Sequence, residues 1–90
     1  MAGVKDRVAL VTGGGRGIGR ATARLLASRG ARVMVSARSE NELAATGLDY
    51  IAADLGSPEG CERAVAETEQ RLGPVDILVC NHGISSAHER

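Results

Sequence analysis

Ninety residues make one domain or part of one, at roughly 100–200 residues per domain. Hydrophobic residues form 43% of the chain and charged residues 24%, which places it with globular rather than disordered sequences. Lys and Arg number 11, as do Asp and Glu, so the basic excess of nucleic-acid or membrane-surface proteins is missing and neither partner is expected.

In chain order, the first seven residues are too polar and too brief to read as a secretory signal. Val8-Ala9-Leu10-Val11 is a short apolar run that stops at Thr12 and a glycine cluster, as a buried strand does. Ile18, Ala21, Thr22, Leu25 and Leu26 then fall at helical spacing, which predicts one apolar stripe facing a core. Gly30 follows the last turn as a C-terminal cap, and Val33-Met34-Val35 reads as a second buried strand. Ser39-Glu40-Asn41-Glu42 has the form of a capping box, opening a short helix that Gly47 stops. Residues 48–53 make a third strand. Ser57-Pro58-Glu59 starts another helix, with an N-cap hydroxyl, a proline at the first position and an acid in the first turn. Its inward stripe is Cys61, Ala64, Val65, Thr68 and Leu72, and Gly73-Pro74 ends it. Residues 75–80 contain a fourth strand, and residues 81–90 are polar without a readable period.

The order β-α-β-α-β-α-β, with connections too long for hairpins, predicts an α/β fold with a parallel sheet. The single aromatic, Tyr50, means the core is built from Val, Leu, Ile and Ala, which suits strands covered on both faces. No apolar run approaches the roughly 20 residues of a membrane span. Cys61 and Cys80 lack metal-ligand spacing, so no metal is expected, and Cys80 at a strand end reads as a small buried hydrophobe. A soluble, cytoplasmic chain is the expectation.

The glycine cluster Thr12-Gly13-Gly14-Gly15-Arg16-Gly17-Ile18-Gly19 joins the first strand to the first helix. Ligands of parallel sheets bind at the carboxyl ends of the strands, where a helix start offers free N–H groups and the positive end of its dipole. Spacing decides which ligand. A G-x-G-x-x-G pattern would need a third glycine at Ile18 or Arg20, and the P-loop would need Lys and Ser/Thr where Arg20-Ala21 stand. What fits is Gly13-x-x-x-Gly17-x-Gly19 preceded by Thr12.

That pattern resembles the short-chain dehydrogenase/reductase family, including its 3-oxoacyl-ACP reductase-like members. The family's T-G-x-x-x-G-x-G is met by Thr12, Gly13, Gly17 and Gly19; its acid-hydrophobic pair after the third strand is similar to Asp54-Leu55. Its N-N-A-G after the fourth strand resembles Cys80-Asn81-His82-Gly83, with Cys80 and His82 as departures. The resemblance implies that residues 1–90 are a partial Rossmann-type domain, an incomplete doubly wound fold with strand order 3-2-1-4, from an oxidoreductase that transfers hydride between a nicotinamide and a small-molecule carbonyl or alcohol, as a homo-oligomer when full length. It assigns cofactor contacts to Gly13, Gly15, Arg16, Gly17, Ile18, Gly19, Arg38, Asp54, Leu55, Asn81 and Gly83.

Which nicotinamide is bound turns on the end of the second strand. Eighteen residues past Gly19 stands Ala37, where the ordinary dinucleotide fold places an acid on the ribose hydroxyls, and Arg38 follows. A guanidinium pairs with a 2′-phosphate that a carboxylate would repel. Arg16 offers a second positive contact, so NADP(H) is favoured over NAD(H). The bland alternative is that both arginines are solvated surface charges, and likewise that Asp54 only helps to begin the next helix.

Catalytic residues are another matter. The family's Ser and Y-x-x-x-K act beyond the fifth strand; here Tyr50 is followed by Ile51-Ala52-Ala53-Asp54, and Lys5 is the only lysine. No catalytic set can be assembled. The expectation is the cofactor-binding N-terminal portion of a reductase, inactive by itself. The alternative is a non-catalytic dinucleotide-binding or interaction module. A methyltransferase-type site is weaker, because Ala37-Arg38 replaces the acid it usually needs.

Overall fold

A computed structural model describes residues 2–13, 15 and 17–81. After a 3-10 turn at Ala2–Val4, the elements are β1 (Val8–Thr12), α1 (Gly17–Ser28), β2 (Arg32–Ala37), α2 (Glu40–Ala44), β3 (Asp49–Ala52), α3 (Pro58–Arg71) and β4 (Ile77–Cys80). All strand pairs are parallel, in the order β3-β2-β1-β4, which is the order expected. β1 lies between two neighbours and has every residue buried, which its unbroken apolar run requires.

Alternate strand residues feed two cores. Ala9, Val11, Val33 and Val35 pack with Ala23 of α1 and Leu43 of α2 on one face. Leu10, Met34 and Ile51 pack with Ala64 of α3 on the other, with Cys61, Val65 and Leu72 against them. The α3 stripe is therefore the one its periodicity predicts. Both serine-capped helix starts behave as their sequences require: Ser39 Oγ accepts from the Glu42 N–H at 3.4 Å, and Ser57 Oγ from the Gly60 N–H at 3.0 Å.

Two expectations are corrected. α1 does not bury the stripe that its large apolar residues suggest: Ile18 is 74% and Leu25 55% exposed, while Gly19 and Ala23 are buried. Leu26 and Ala27 join them against the core. Small side chains at Gly19 and Ala23 let the helix axis approach β1 and β2 closely, so the contact face is chosen by fit rather than by hydrophobicity. Cys80 is exposed rather than buried, at the end of β4, the outermost strand on its side of the sheet. The outer strands are also shorter than their apolar runs, Asp49–Ala52 for β3 and Ile77–Cys80 for β4.

Candidate functional site

Parallel pairing brings the carboxyl ends of all four strands to one edge. Thr12 stands beside Ser36 and Cys80, and Ala37 beside Ala52, so the loops after each strand start side by side. Thr12 ties two of them together. Its Oγ1 donates to the Val79 carbonyl at 3.2 Å, and the Asn81 N–H donates to both Thr12 Oγ1 and Thr12 O, each at 3.2 Å. Gly13 in turn donates its N–H to the Ser36 carbonyl at 2.6 Å. The glycine loop is thus fastened to β4 on one side and β2 on the other.

The glycines do separate jobs. Gly13 and Gly17 have φ of 73° and 63°, a left-handed conformation that side chains with a Cβ rarely adopt. Around a Cβ placed on Gly17, beyond its chain neighbours and its own helix backbone, no atom of the described residues lies within 4 Å. A Cβ on Gly19 would instead collide with the Gly13 carbonyl and lie 2.7 Å from the Asn81 side-chain nitrogen. Gly15 is backed by α2, where Glu42 Cβ would stand 3.2 Å from its Cβ and Leu43 Cδ2 3.7 Å. α1 carries no acid in its first turn, whereas α2 has Glu40 and Glu42 and α3 has Glu59. Its leading N–H groups and dipole therefore meet no side-chain carboxylate of the same turn, the arrangement that accepts a phosphate. A dinucleotide pyrophosphate fits this cradle.

Arg38 follows the end of β2, is exposed, and makes no ion pair among the described residues. Neighbouring carboxylates are held elsewhere: Glu40 Oε2 accepts from the Tyr50 hydroxyl at 3.3 Å, and Glu42 lies against Gly15. Asp54, exposed at the end of β3, accepts from the Gly56 N–H through Oδ1 at 3.0 Å, and its carbonyl accepts from Ser57 Oγ at 3.2 Å. Part of its role is therefore to shape the turn into α3. Leu55 is 6% exposed and packs in the core beneath α3, so only its main chain can reach a ligand. Ile18 lies open beside the loop, and Asn81 is half-buried between the loop and β4. Arg16 and Gly83, the other two cofactor positions named above, lie outside the described residues, as do His82 and the serines and histidine after it.

Sequence reasoning missed two contributors. Gly60 sits in the first turn of α3, where a Cβ would collide with the Asp54 carbonyl and stand 3.1 Å from Ser57 Oγ. A glycine inside a well-capped helix start, where its propensity is poor, was the available signal. Glu42 and Leu43, the wall behind Gly15, carried no such signal, because that contact joins the glycine loop to a helix far along the chain.

The profile of the short chain dehydrogenase family matches residues 7–90. Versicolorin reductase 1 of Aspergillus parasiticus is 46% identical over an alignment of 90 residues, spanning 89% of this chain and 34% of that protein. The 3-oxoacyl-[acyl-carrier-protein] reductase FabG of Escherichia coli is 43% identical over 88, spanning 90% and 36%. Among solved structures, glucose dehydrogenase of Caenorhabditis elegans superposes with a TM-score of 0.75 at 32% identity, over 87% of this chain and 38% of that one. A short-chain dehydrogenase/reductase of unknown function from the same organism, solved with cofactor, gives 0.79 at 28% identity over 83% and 32%. The chain spans about a third of the length of the relatives it matches.

Proposed function

Because this chain belongs to the short-chain dehydrogenase/reductase family, we propose that it is the NADP(H)-binding N-terminal portion of a carbonyl or alcohol oxidoreductase. When bound, the nicotinamide supplies the hydride exchanged with the substrate carbon. The residues here bind and orient. Gly13, Gly15, Gly17, Ile18 and Gly19 would hold the pyrophosphate, Asp54 and the Leu55 main chain the adenine end, and Asn81 and Gly83 the far side of the loop. Arg38, with Arg16, would receive the 2′-phosphate.

The observation that carries the cofactor choice is Arg38 itself: exposed, without an ion pair among the described residues, and preceded by Ala37 where an NAD site would place an acid. Two hydroxyls of a ribose need a carboxylate acceptor; a 2′-phosphate needs a donor with positive charge. Replacing Arg38 with Asp is expected to move the ratio of NADP(H) to NAD(H) affinity towards NAD(H) by at least tenfold, about 1.4 kcal/mol. An unchanged ratio in titrations with both cofactors sinks the assignment.

Proton transfer is assigned to residues outside this chain. Tyr50, its one tyrosine, lies on β3 with its hydroxyl bonded to Glu40, and Lys5 precedes β1 at the opposite edge of the sheet. We therefore expect a purified 90-residue chain to bind the adenine half of the cofactor and to reduce no carbonyl. Turnover of an aldehyde or ketone by that chain overturns this. The complete enzyme is expected to be a cytoplasmic homo-oligomer.

A further inference from the structure

We infer that Tyr50 is a positioning residue for cofactor selectivity: its hydroxyl holds Glu40 away from Arg38 and so keeps that guanidinium free for a 2′-phosphate. The inference rests on the NADP(H) reading above and adds a residue to it that no phosphate touches.

The local charge pattern poses the problem. Arg38 is followed by carboxylates two and four residues on, Glu40 and Glu42, with only Ser39 and Asn41 between. An arginine with two acids so close along the chain can pair with either of them, and a paired guanidinium is a poorer phosphate receiver because part of its charge and its donor fork is already used. In this structure neither acid takes it. Glu42 is drawn inward against Gly15, with its Oε1 3.5 Å from where a Cβ there would stand. Glu40 is drawn outward to the edge strand, where its Oε2 accepts the Tyr50 hydroxyl proton at 3.3 Å. Ser39, between Arg38 and Glu40, is fixed as the N-cap of α2 through its bond from the Glu42 N–H.

Tyr50 is suited to this by its place in the fold. Its ring packs against the core shared by α1 and α2, while its hydroxyl reaches the first residue of α2. The main chain beneath it is anchored from the opposite face, since Arg71 Nη1 donates to the Tyr50 carbonyl at 3.2 Å. Two χ angles and a packed ring make the hydroxyl a fixed point, which a Ser or Gln on a flexible stem would not be. The one aromatic residue of the chain then has a polar task beyond filling volume.

The test is a double-mutant cycle on the intact protein, read by calorimetry with adenosine 2′,5′-bisphosphate and with 5′-AMP. Tyr50→Phe keeps the ring and removes the hydroxyl. It should weaken the bisphosphate about two- to fivefold, the range of an exposed ion pair won by Glu40, and leave 5′-AMP unchanged. The loss should shrink in high salt. In a Glu40→Gln background, which has no charge to pair with Arg38, Tyr50→Phe should have no effect. Equal weakening of both ligands, or a loss that persists in the Glu40→Gln background, overturns the inference in favour of a purely structural tyrosine. Arg38→Ala separates the two levels: if it leaves bisphosphate binding intact, the cofactor reading falls and this inference with it. If Arg38→Ala weakens binding while Tyr50→Phe does not, the tyrosine role alone is wrong.

Discussion

At the scale of single residues, the glycine loop is held by contacts that tolerate almost no added atom. Gly19 is where three chain segments meet: the start of α1, the turn at Gly13 and the Asn81 side chain after β4. Gly19→Ala must displace either the Gly13 carbonyl or the helix itself. We expect about 1–3 kcal/mol of destabilisation from overpacking, read by denaturant unfolding, and loss of adenine nucleotide binding larger than that fraction unfolded explains. Wild-type affinity in the alanine variant would show that the loop is not the phosphate cradle. Thr12 belongs to the same junction. Its hydroxyl both donates and accepts across the β1–β4 seam, so the loop after β4 is aligned with the glycine loop by one side chain. Valine there would keep the shape but remove the hydroxyl's bonds to the Val79 carbonyl and the Asn81 N–H, leaving that N–H only the main-chain carbonyl of position 12.

At the scale of elements, α1 shows how packing overrides hydrophobic pattern. A stripe containing Ile18 and Leu25 has the larger apolar area, yet the helix presents Gly19, Ala23, Leu26 and Ala27 to the sheet. One substitution on each face should separate them. In the 90-residue chain Leu25→Gln is expected to change stability by less than about 0.5 kcal/mol, as for other surface positions. Ala23→Leu should cost about 1–3 kcal/mol, because no volume exists between α1 and β2. The reverse order in thermal melts would restore the periodicity reading. α3 obeys its own pattern because Ala64 and Thr68 are both small and central to its apolar stripe, and Thr68 Oγ1 satisfies itself on the Ala64 carbonyl at 2.6 Å.

For the whole molecule, the sheet has two edges and treats them differently. On β3, residues 51 and 53 bond towards β2, which turns the main-chain groups of Tyr50 and Ala52 outward. Both carbonyls are taken by arginines of α3: Arg71 Nη1 donates to Tyr50 O, and Arg63 Nη2 donates to Ala52 O at 2.6 Å. Asp49 adds an ion pair with Arg71 at 3.7 Å. Charged side chains laid along an edge discourage another strand from pairing there. At the β4 edge Leu78 is 54% exposed and Cys80 is open as well. Removing the guard with Arg63→Ala and Arg71→Ala together should raise self-association of the 90-residue chain, seen as concentration-dependent elution in gel filtration. An unchanged profile would show that β3 is too short to pair without protection.

How much of this was legible in the sequence follows from what each feature depends on. Element order, both serine caps, the α3 stripe and the glycine loop depend on neighbours within about a dozen residues, or on rules common to all parallel sheets, and 90 residues of sequence contain that information, whereas the strand order was expected from the family resemblance. Thr12, Gly13, Gly19 and Asn81 meet at one edge of the sheet. Which face α1 buries, which atoms stand behind Gly15, and where Glu40 and Tyr50 meet could not be read in advance. Each is a contact between separate elements, or a matter of fit at the ångström level, decided only when every helix had a sheet to lie against. Periodicity measures how apolar a face is; only the assembled core determines how close that face can come.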